Sequence, residues 1–205
     1  MDVERRTWIA VGAVLAAVAC VSPALAEDSA PWGAPCTSQV VASPFARWAD
    51  GQPYTLVPGG TFESSDSWTL ASGAAIVGGN EPFDVHGPGE KSSLLLPPGA
   101  SATSKPMCVS LQHPTIRMFV RNLGSKFSFF RMQAIYQASD GNLRTVEFAK
   151  LAASPAWRPS PAIPYLVNVD VPLDGNGTTA VAFRFTGLSG VTMVDDVYVD
   201  PRAWH

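Results

Sequence analysis

Arginine, glutamine and aromatic residues alternate with small or apolar ones in three stretches of this chain, and that spacing poses the first question of chemistry. Arg117 and Arg121 alternate with Met118 and Val120, Arg131 and Gln133 with Met132 and Ala134, and Arg184 stands between Phe183 and Phe185. In extended backbone successive side chains point to opposite faces, so each stretch presents planar donors on one side and apolar groups on the other. If these stretches are neighbours in one sheet, its polar side carries Arg117, Arg121, Arg131, Gln133 and Arg184 beside Phe127, Phe129 and Tyr136. Flat apolar bodies beneath a ring and planar donors for its hydroxyls are the mixture a sugar site uses. Four guanidinium groups on one face favour a carboxylated or sulfated sugar, because Arg pairs with oxyanions in a bidentate fork. The alternative reading of the same arginines is an ordinary solvated face.

A second point of chemistry lies near the C-terminus, where 191–200 reads as a strand rich in Val and closed by Pro201. Strict alternation puts Met193, Asp195, Val197 and Val199 on one face and Val194, Asp196, Tyr198 and Asp200 on the other. One carboxylate, Asp195, then stands in an apolar row. A buried carboxylate must lie at a sheet edge, pair with a cation, or bind a metal. A slip of one residue in register would put Asp196 in its place.

Other constellations do not assemble into catalysis. Asn80-Glu81-Pro82, with Asp84 and His86 behind it, looks like the acid/base motif of barrel glycosidases. That chemistry needs a (β/α)₈ barrel and a second, distant carboxylate, so the motif reads as solvated loop chemistry. No Gly-x-Ser-x-Gly elbow occurs, and 87–92 lacks the spacing of a phosphate loop. The chain is expected not to be an enzyme.

Charge and compartment narrow the class further. Residues 1–26 combine a charged start, an uncharged apolar run from Trp8 to Val21 and the small-residue end Ala24-Leu25-Ala26, which reads as a secretory signal peptide. Arg5-Arg6 is similar to a twin-arginine export signal, weakened by Glu4; Cys20 lacks the context of a lipid anchor. The remainder suits one domain, expected to be secreted, monomeric and without a membrane span. A net charge of −3 gives no reason to expect nucleic acid or an anionic membrane as partner. Of the three cysteines, Cys36 and Cys108 survive cleavage, and export makes their pairing the expectation. The bridge would close a loop of about 72 residues, worth roughly 4 kcal/mol by chain entropy.

These residues need elements to position them. Residues 27–53 form a Pro/Ala/Ser-rich arm, in which Trp32, Phe45 and Trp48 argue for packing onto the domain that follows at 54–205. Strands are predicted over 54–57, 67–77, 92–96, 102–110, 115–122, 127–137, 143–150, 164–171, 178–186 and 191–200. Asp140-Gly141-Asn142 marks a hairpin and 174–177 a second turn of the same chemistry. No window holds a helical apolar period over three turns. The expected fold is all-β, a jelly-roll β-sandwich of two antiparallel sheets.

Gly60-Thr61-Phe62-Glu63 with Trp68, then Trp157, then Val194-Asp195-Asp196-Val197 follow one another in an order that resembles the jelly-roll carbohydrate-binding modules of the galactose-binding-like class. The resemblance runs from about Tyr54 to Asp200 and extends to stand-alone secreted bacterial proteins. It implies that the first and last strands are neighbours and that a structural calcium lies where they meet. Glu63 and Asp195 would then be its carboxylate ligands, with Asp196 as the substitute and backbone carbonyls near Thr61 completing the shell. It also implies a non-catalytic module for a cell-wall or extracellular glycan. The competing expectation is a structural or interaction protein of the cell envelope; an open, aromatic-lined groove favours the first and a covered face the second.

Overall fold

The computed structural model describes residues 32, 39–110, 114–124, 127–166, 171–175 and 177–200. Alternating burial marks strands such as Ser101–Ser104 and Ser128–Gln137, while Thr192–Val199 is buried throughout. The strands are β1 Thr55–Leu56, β2 Trp68–Ala71, β3 Ala75–Gly78, β4 Ser92–Leu96, β5 Ser101–Ser104, β6 Met107–Ser110, β7 Thr115–Asn122, β8 Ser128–Gln137, β9 Leu143–Ala153, β10 Arg158–Pro159, β11 Ile163–Pro164, β12 Thr178–Ser189 and β13 Thr192–Val199. Two of the predicted strands are each divided in two. Residues 67–77 break at Ser72-Gly73, both at positive φ, and 102–110 break at Lys105-Pro106, where Pro lacks the N–H a ladder needs. The predicted strand over 164–171 shrinks to β11; its residues 167–170 lie outside the described residues.

The strands form two antiparallel sheets packed as a sandwich. A seven-stranded sheet runs β10-β7-β13-β4-β3, with β1 also on β13 and β11 also on β7; a six-stranded sheet runs β2-β5-β12-β8-β9, with β6 also on β12. Their facing rows make the main core. Ile116, Met118 and Val120 come from β7, Val194, Val197 and Val199 from β13, Phe130 and Met132 from β8, and Val181, Phe183 and Phe185 from β12.

β13 departs from strict alternation. Its register against β7 shifts between Asp195 and Tyr198, and Asp196 adopts φ 48°. One extra residue in a strand rephases every side chain beyond it. Val194 therefore faces the core together with Val197 and Val199, while Tyr198 turns to the outer face. The expected row of Met193, Asp195, Val197 and Val199 is corrected accordingly: Asp195 opposes Phe119 and is bonded by the loop 79–91, outside the main core.

That outer face is closed by the arm. Phe45 is fully buried against Tyr54, Phe119 and Tyr198, with ring centroids 5.2, 5.5 and 5.8 Å away. A short 3-10 turn, Ala46–Trp48, sets Trp48 on Phe83 and Phe119. The two ends of the jelly-roll motif meet underneath. The Val197 amide donates to the Gly60 carbonyl (3.0 Å), and Phe62 packs on Trp68 at 5.0 Å. A Cβ on Gly60 would lie 2.7 Å from the Val197 carbonyl oxygen, so only glycine admits this approach.

Candidate functional site

The outer face of the six-stranded sheet carries two polar rows, each crossing all five strands of its main path. In one, Thr69, Thr103, Arg184, Gln133 and Glu147 stand side by side on β2, β5, β12, β8 and β9. In the next, Ala71, Ser101, Thr186, Arg131 and Lys150 do the same. All of these but Glu147 and Lys150, together with Gly99, line a shallow concavity of about 440 Å³. Small hydroxyl residues on β2 and β5 lower one side of the floor, and the longer side chains of β12 and β8 form the other.

Within this groove Arg184 is held without a carboxylate among the described residues, and Arg131 shares one, at long range, with Lys150. Arg184 Nε donates to Thr103 Oγ1 at 3.0 Å, which fixes the guanidinium across the floor. Arg131 Nη1 lies 3.8 Å from Glu147 Oε2, a carboxylate that also meets Lys150 at 3.5 Å. The Arg131 Nε is buried and has no hydrogen-bond partner among the described residues. Phe129, one same-face position along β8 from Arg131, is 36% exposed, and Phe127 beyond it is 70% exposed. A face of donors with an apolar ring at one end can bind a polar, ring-shaped ligand.

The structure divides the residues predicted for this site. Arg131, Gln133 and Arg184 come together. Arg117 and Arg121 do not join them: they lie on β7, on the outer face of the opposite sheet. Outer faces of packed sheets point apart with the whole core between them, so four arginines on one face is corrected to two. Arg117 is buried beneath the arm. Its Nε and Nη2 donate to the Ser160 carbonyl (3.0 and 2.8 Å), Nη1 pairs with Asp50, and its guanidinium sits 4.1 Å from the Phe45 ring centroid. Burial alone would raise the Asp50 pKa, but hydrogen bonds from Tyr54, the Gln52 amide and Arg117 hold it below its ordinary value. Burial and that carboxylate in turn push the Tyr54 hydroxyl up to about 12. Arg121 stacks 5.4 Å from the Trp157 centroid and donates to Met193 Sδ. Tyr136 is likewise removed from the site: it shares parity with Phe130, Met132 and Ala134 and packs in the core.

Thr69, Ser101, Thr103, Thr186, Glu147 and Lys150 were not singled out from the sequence. The signal was present in the alternation of Thr69 with Trp68 and Leu70, and of Thr186 with Phe185. What it lacked was the pairing that makes them neighbours of Arg184 and Arg131.

The carboxylates form a second centre, between β13 and the loop 79–91. Glu81, expected in a solvated loop, is fully buried; its Oε1 accepts the Val85 amide at 2.8 Å and its Oε2 the Phe83 amide. Asp195 Oδ2 accepts the Glu81 amide (2.9 Å) and Oδ1 the Asp196 amide (3.0 Å). Glu63 Oε1 accepts the Lys91 and Ser92 amides at 2.7 and 2.8 Å. Both oxygens of fully buried Asp196 find no donor among the described residues. Glu81 is near, but another carboxyl gives Asp196 an acceptor rather than a donor unless one of them holds a proton. Burial first, then mutual repulsion with Glu90 and Glu81, raises Asp195 to about 8 and, with Asp195 adding its own charge, Asp196 to about 9. Glu90 is raised by burial against the pull of His86, whose Nδ1 stands 2.9 Å from its Oε1. Among the described residues, no three His, Cys, Asp or Glu side chains form a ready-made metal-ligating group.

Cys108 on β6 is disulfide-bonded, and its carbonyl accepts a 2.7 Å bond from Gln39 Nε2 of the arm. Cys36 lies outside the described residues.

No protein-family profile and no curated protein matches the sequence. In fold the chain is similar to the region of Clostridium thermocellum endo-1,4-beta-D-xylanase 10B that contains a CBM22-1 module and a GH10 module, solved with xylohexaose. There the TM-score is 0.50 at 14% identity, over 70% of this chain and 28% of that one. It is also similar to the CBM22-1 xylan-binding domain of Paenibacillus barcinonensis Xyn10C (TM-score 0.46, 12% identity, 71% and 93% covered). A further similarity is to a family 11 carbohydrate-binding module of C. thermocellum solved with a mixed-linked tetrasaccharide (TM-score 0.39, 14% identity, 71% and 95% covered). The likeness is one of fold, an all-β jelly-roll sandwich of two antiparallel sheets.

Proposed function

We propose that this chain is a non-catalytic glycan-binding module that holds its ligand in the groove of the six-stranded sheet, with Arg131, Gln133 and Arg184 as the principal donors. The observation that carries this reading is the asymmetry of the two outer faces. One is sealed by Phe45, Trp48 and Phe83, while the other presents two rows, polar but for Ala71, around a concavity with no described segment laid over it. An envelope scaffold would bring that second face under cover. The fold shared with a xylanase region solved with a xylo-oligosaccharide supports the same reading. Titration calorimetry against a glycan panel tests it: Arg184→Ala or Gln133→Ala should weaken binding by about 1–3 kcal/mol, the range for losing hydrogen bonds of charged or amide groups. Arg121→Ala, on the opposite face, should leave binding unchanged. Binding that survives the groove substitutions would place the ligand elsewhere.

A structural calcium belongs to the same proposal. The donor set suits a hard cation, since Asp196 is buried with two unpartnered oxygens beside Glu90 and Glu81, and calcium completes its shell with backbone carbonyls and water. Asp195 and Glu63 already accept backbone amides, so Asp196 is the principal ligand in this reading. The cation would neutralise the acidic centre and tie the loop 79–91 to β13. Export by way of residues 1–26 and a Cys36–Cys108 bridge complete the proposal; Gln39, three residues past Cys36, already bonds to Cys108.

A further inference from the structure

The groove has donors in excess of acceptors. Its lining presents two guanidinium groups, one amide and several hydroxyls, and no carboxylate; Glu147 stands at the margin and is divided between Arg131 and Lys150. Neutral sugars offer hydroxyls that both donate and accept, so a site built for them gains from carboxylate acceptors on its floor. This floor has none. Arg184 has no carboxylate within 4.0 Å among the described residues, and Thr103 occupies only its Nε, leaving both terminal nitrogens of the fork available. Arg131 keeps a buried Nε without an acceptor. Residues diagonal to one another across a ladder stand about 7–8 Å apart, within reach of two long side chains converging on one group. Arg131 and Arg184 are such a pair, through the neighbours Thr186 and Gln133. The chain as a whole is acidic, at net −3, so a cluster of Arg131, Arg184 and Lys150 is a local reversal of charge.

We infer that the groove selects a uronate-bearing glycan, with the sugar carboxylate clamped between Arg131 and Arg184 and a neighbouring ring lying against Phe129. A planar carboxylate fits the guanidinium fork through two parallel N–H···O bonds; a tetrahedral sulfate can fill the same fork, so the sulfated arm of the experiment separates the two. The inference rests on the glycan-binding reading and adds the ligand class to it.

The experiment compares polymers that differ only at the carboxyl. Oligogalacturonate, glucuronoxylan and alginate oligomers are each titrated into the full chain beside their carboxyl-reduced forms, at low and high sodium chloride, with a sulfated neutral glycan as a further arm. At least one carboxylated polymer should bind 10-fold or more tighter than its reduced partner. Salt should shrink that ratio, and Arg131→Gln or Arg184→Gln should abolish it while the melting temperature stays within a few degrees. Equal or tighter binding of the reduced forms overturns the uronate assignment and leaves glycan binding standing. Preference for the sulfated glycan overturns the carboxylate clamp. Absence of binding to every polymer, charged and neutral, overturns both this inference and the reading it rests on.

Discussion

In chelator this protein should become less stable as the pH rises, the reverse of the usual behaviour of carboxylates. Asp195 and Asp196 are held at about 8 and about 9 in the fold, against an ordinary 3.8. A raised carboxyl pKa means the folded state keeps protons that the unfolded chain has released, so the free energy of unfolding falls with pH between those values. The slope is about 1.4 kcal/mol per pH unit for each excess proton. From pH 5 to 8 one excess proton costs about 4 kcal/mol and two cost about 8, against a typical total of 5–15 kcal/mol. A loss of 4 kcal/mol corresponds to a melting temperature lower by about 10 °C for a domain of this size. In the calcium proposal the cation would bind the ionised carboxylates and flatten the slope, by an amount set by its concentration relative to its dissociation constant. Urea unfolding at pH 5, 6, 7 and 8, in chelator and in millimolar calcium, measures both effects. Asp196→Asn, which keeps the shape and removes the charge, should be the more stable protein at pH 8 in chelator and should lose much of the calcium response. A chelated protein whose stability is flat or rises from pH 5 to 8 would refute the electrostatic reasoning, and one indifferent to calcium would refute the metal.

Three further outcomes are expected. Gly60→Ala should destabilise the fold by about 1–3 kcal/mol, because its methyl must displace the Val197 carbonyl, and urea midpoints will report it. Arg117→Ala should cost about 1–3 kcal/mol by leaving the Ser160 carbonyl unpaired and Asp50 with only its Tyr54 and Gln52 donors, and should open 39–53 to limited proteolysis; an arm still protected in that variant would show that Phe45 alone holds it. Non-reducing mass spectrometry of the exported protein should find no free thiol, and reduction should lower stability by at most roughly 4 kcal/mol, whereas two free thiols would remove the Cys36–Cys108 bridge.

Local chemistry was enough to locate most of the strands and the two faces of some of them. Ser92–Leu96 and Thr115–Asn122 were legible to the residue, and the parity of Arg131 and Gln133 against Met132 and Ala134 was right, because alternation is a property of extended backbone that a few neighbouring residues settle. The same parity already assigned Tyr136 to the core side, so its place beside Gln133 was an error open to correction from the sequence. Three things were decided only by tertiary structure. Which strands share a sheet is a matter of contacts far apart in sequence, and it sent Arg117 and Arg121 to one outer face and Arg131 and Arg184 to the other. The extra residue at Asp196 rephased β13, and no composition signals a bulge whose partner strand lies some 80 residues upstream. Burial of Glu81 and Asp196 depends on a loop folding over a distant strand, so whether a carboxylate is solvated, bonded or left to a cation is a fact of packing, which alternation along one strand does not contain.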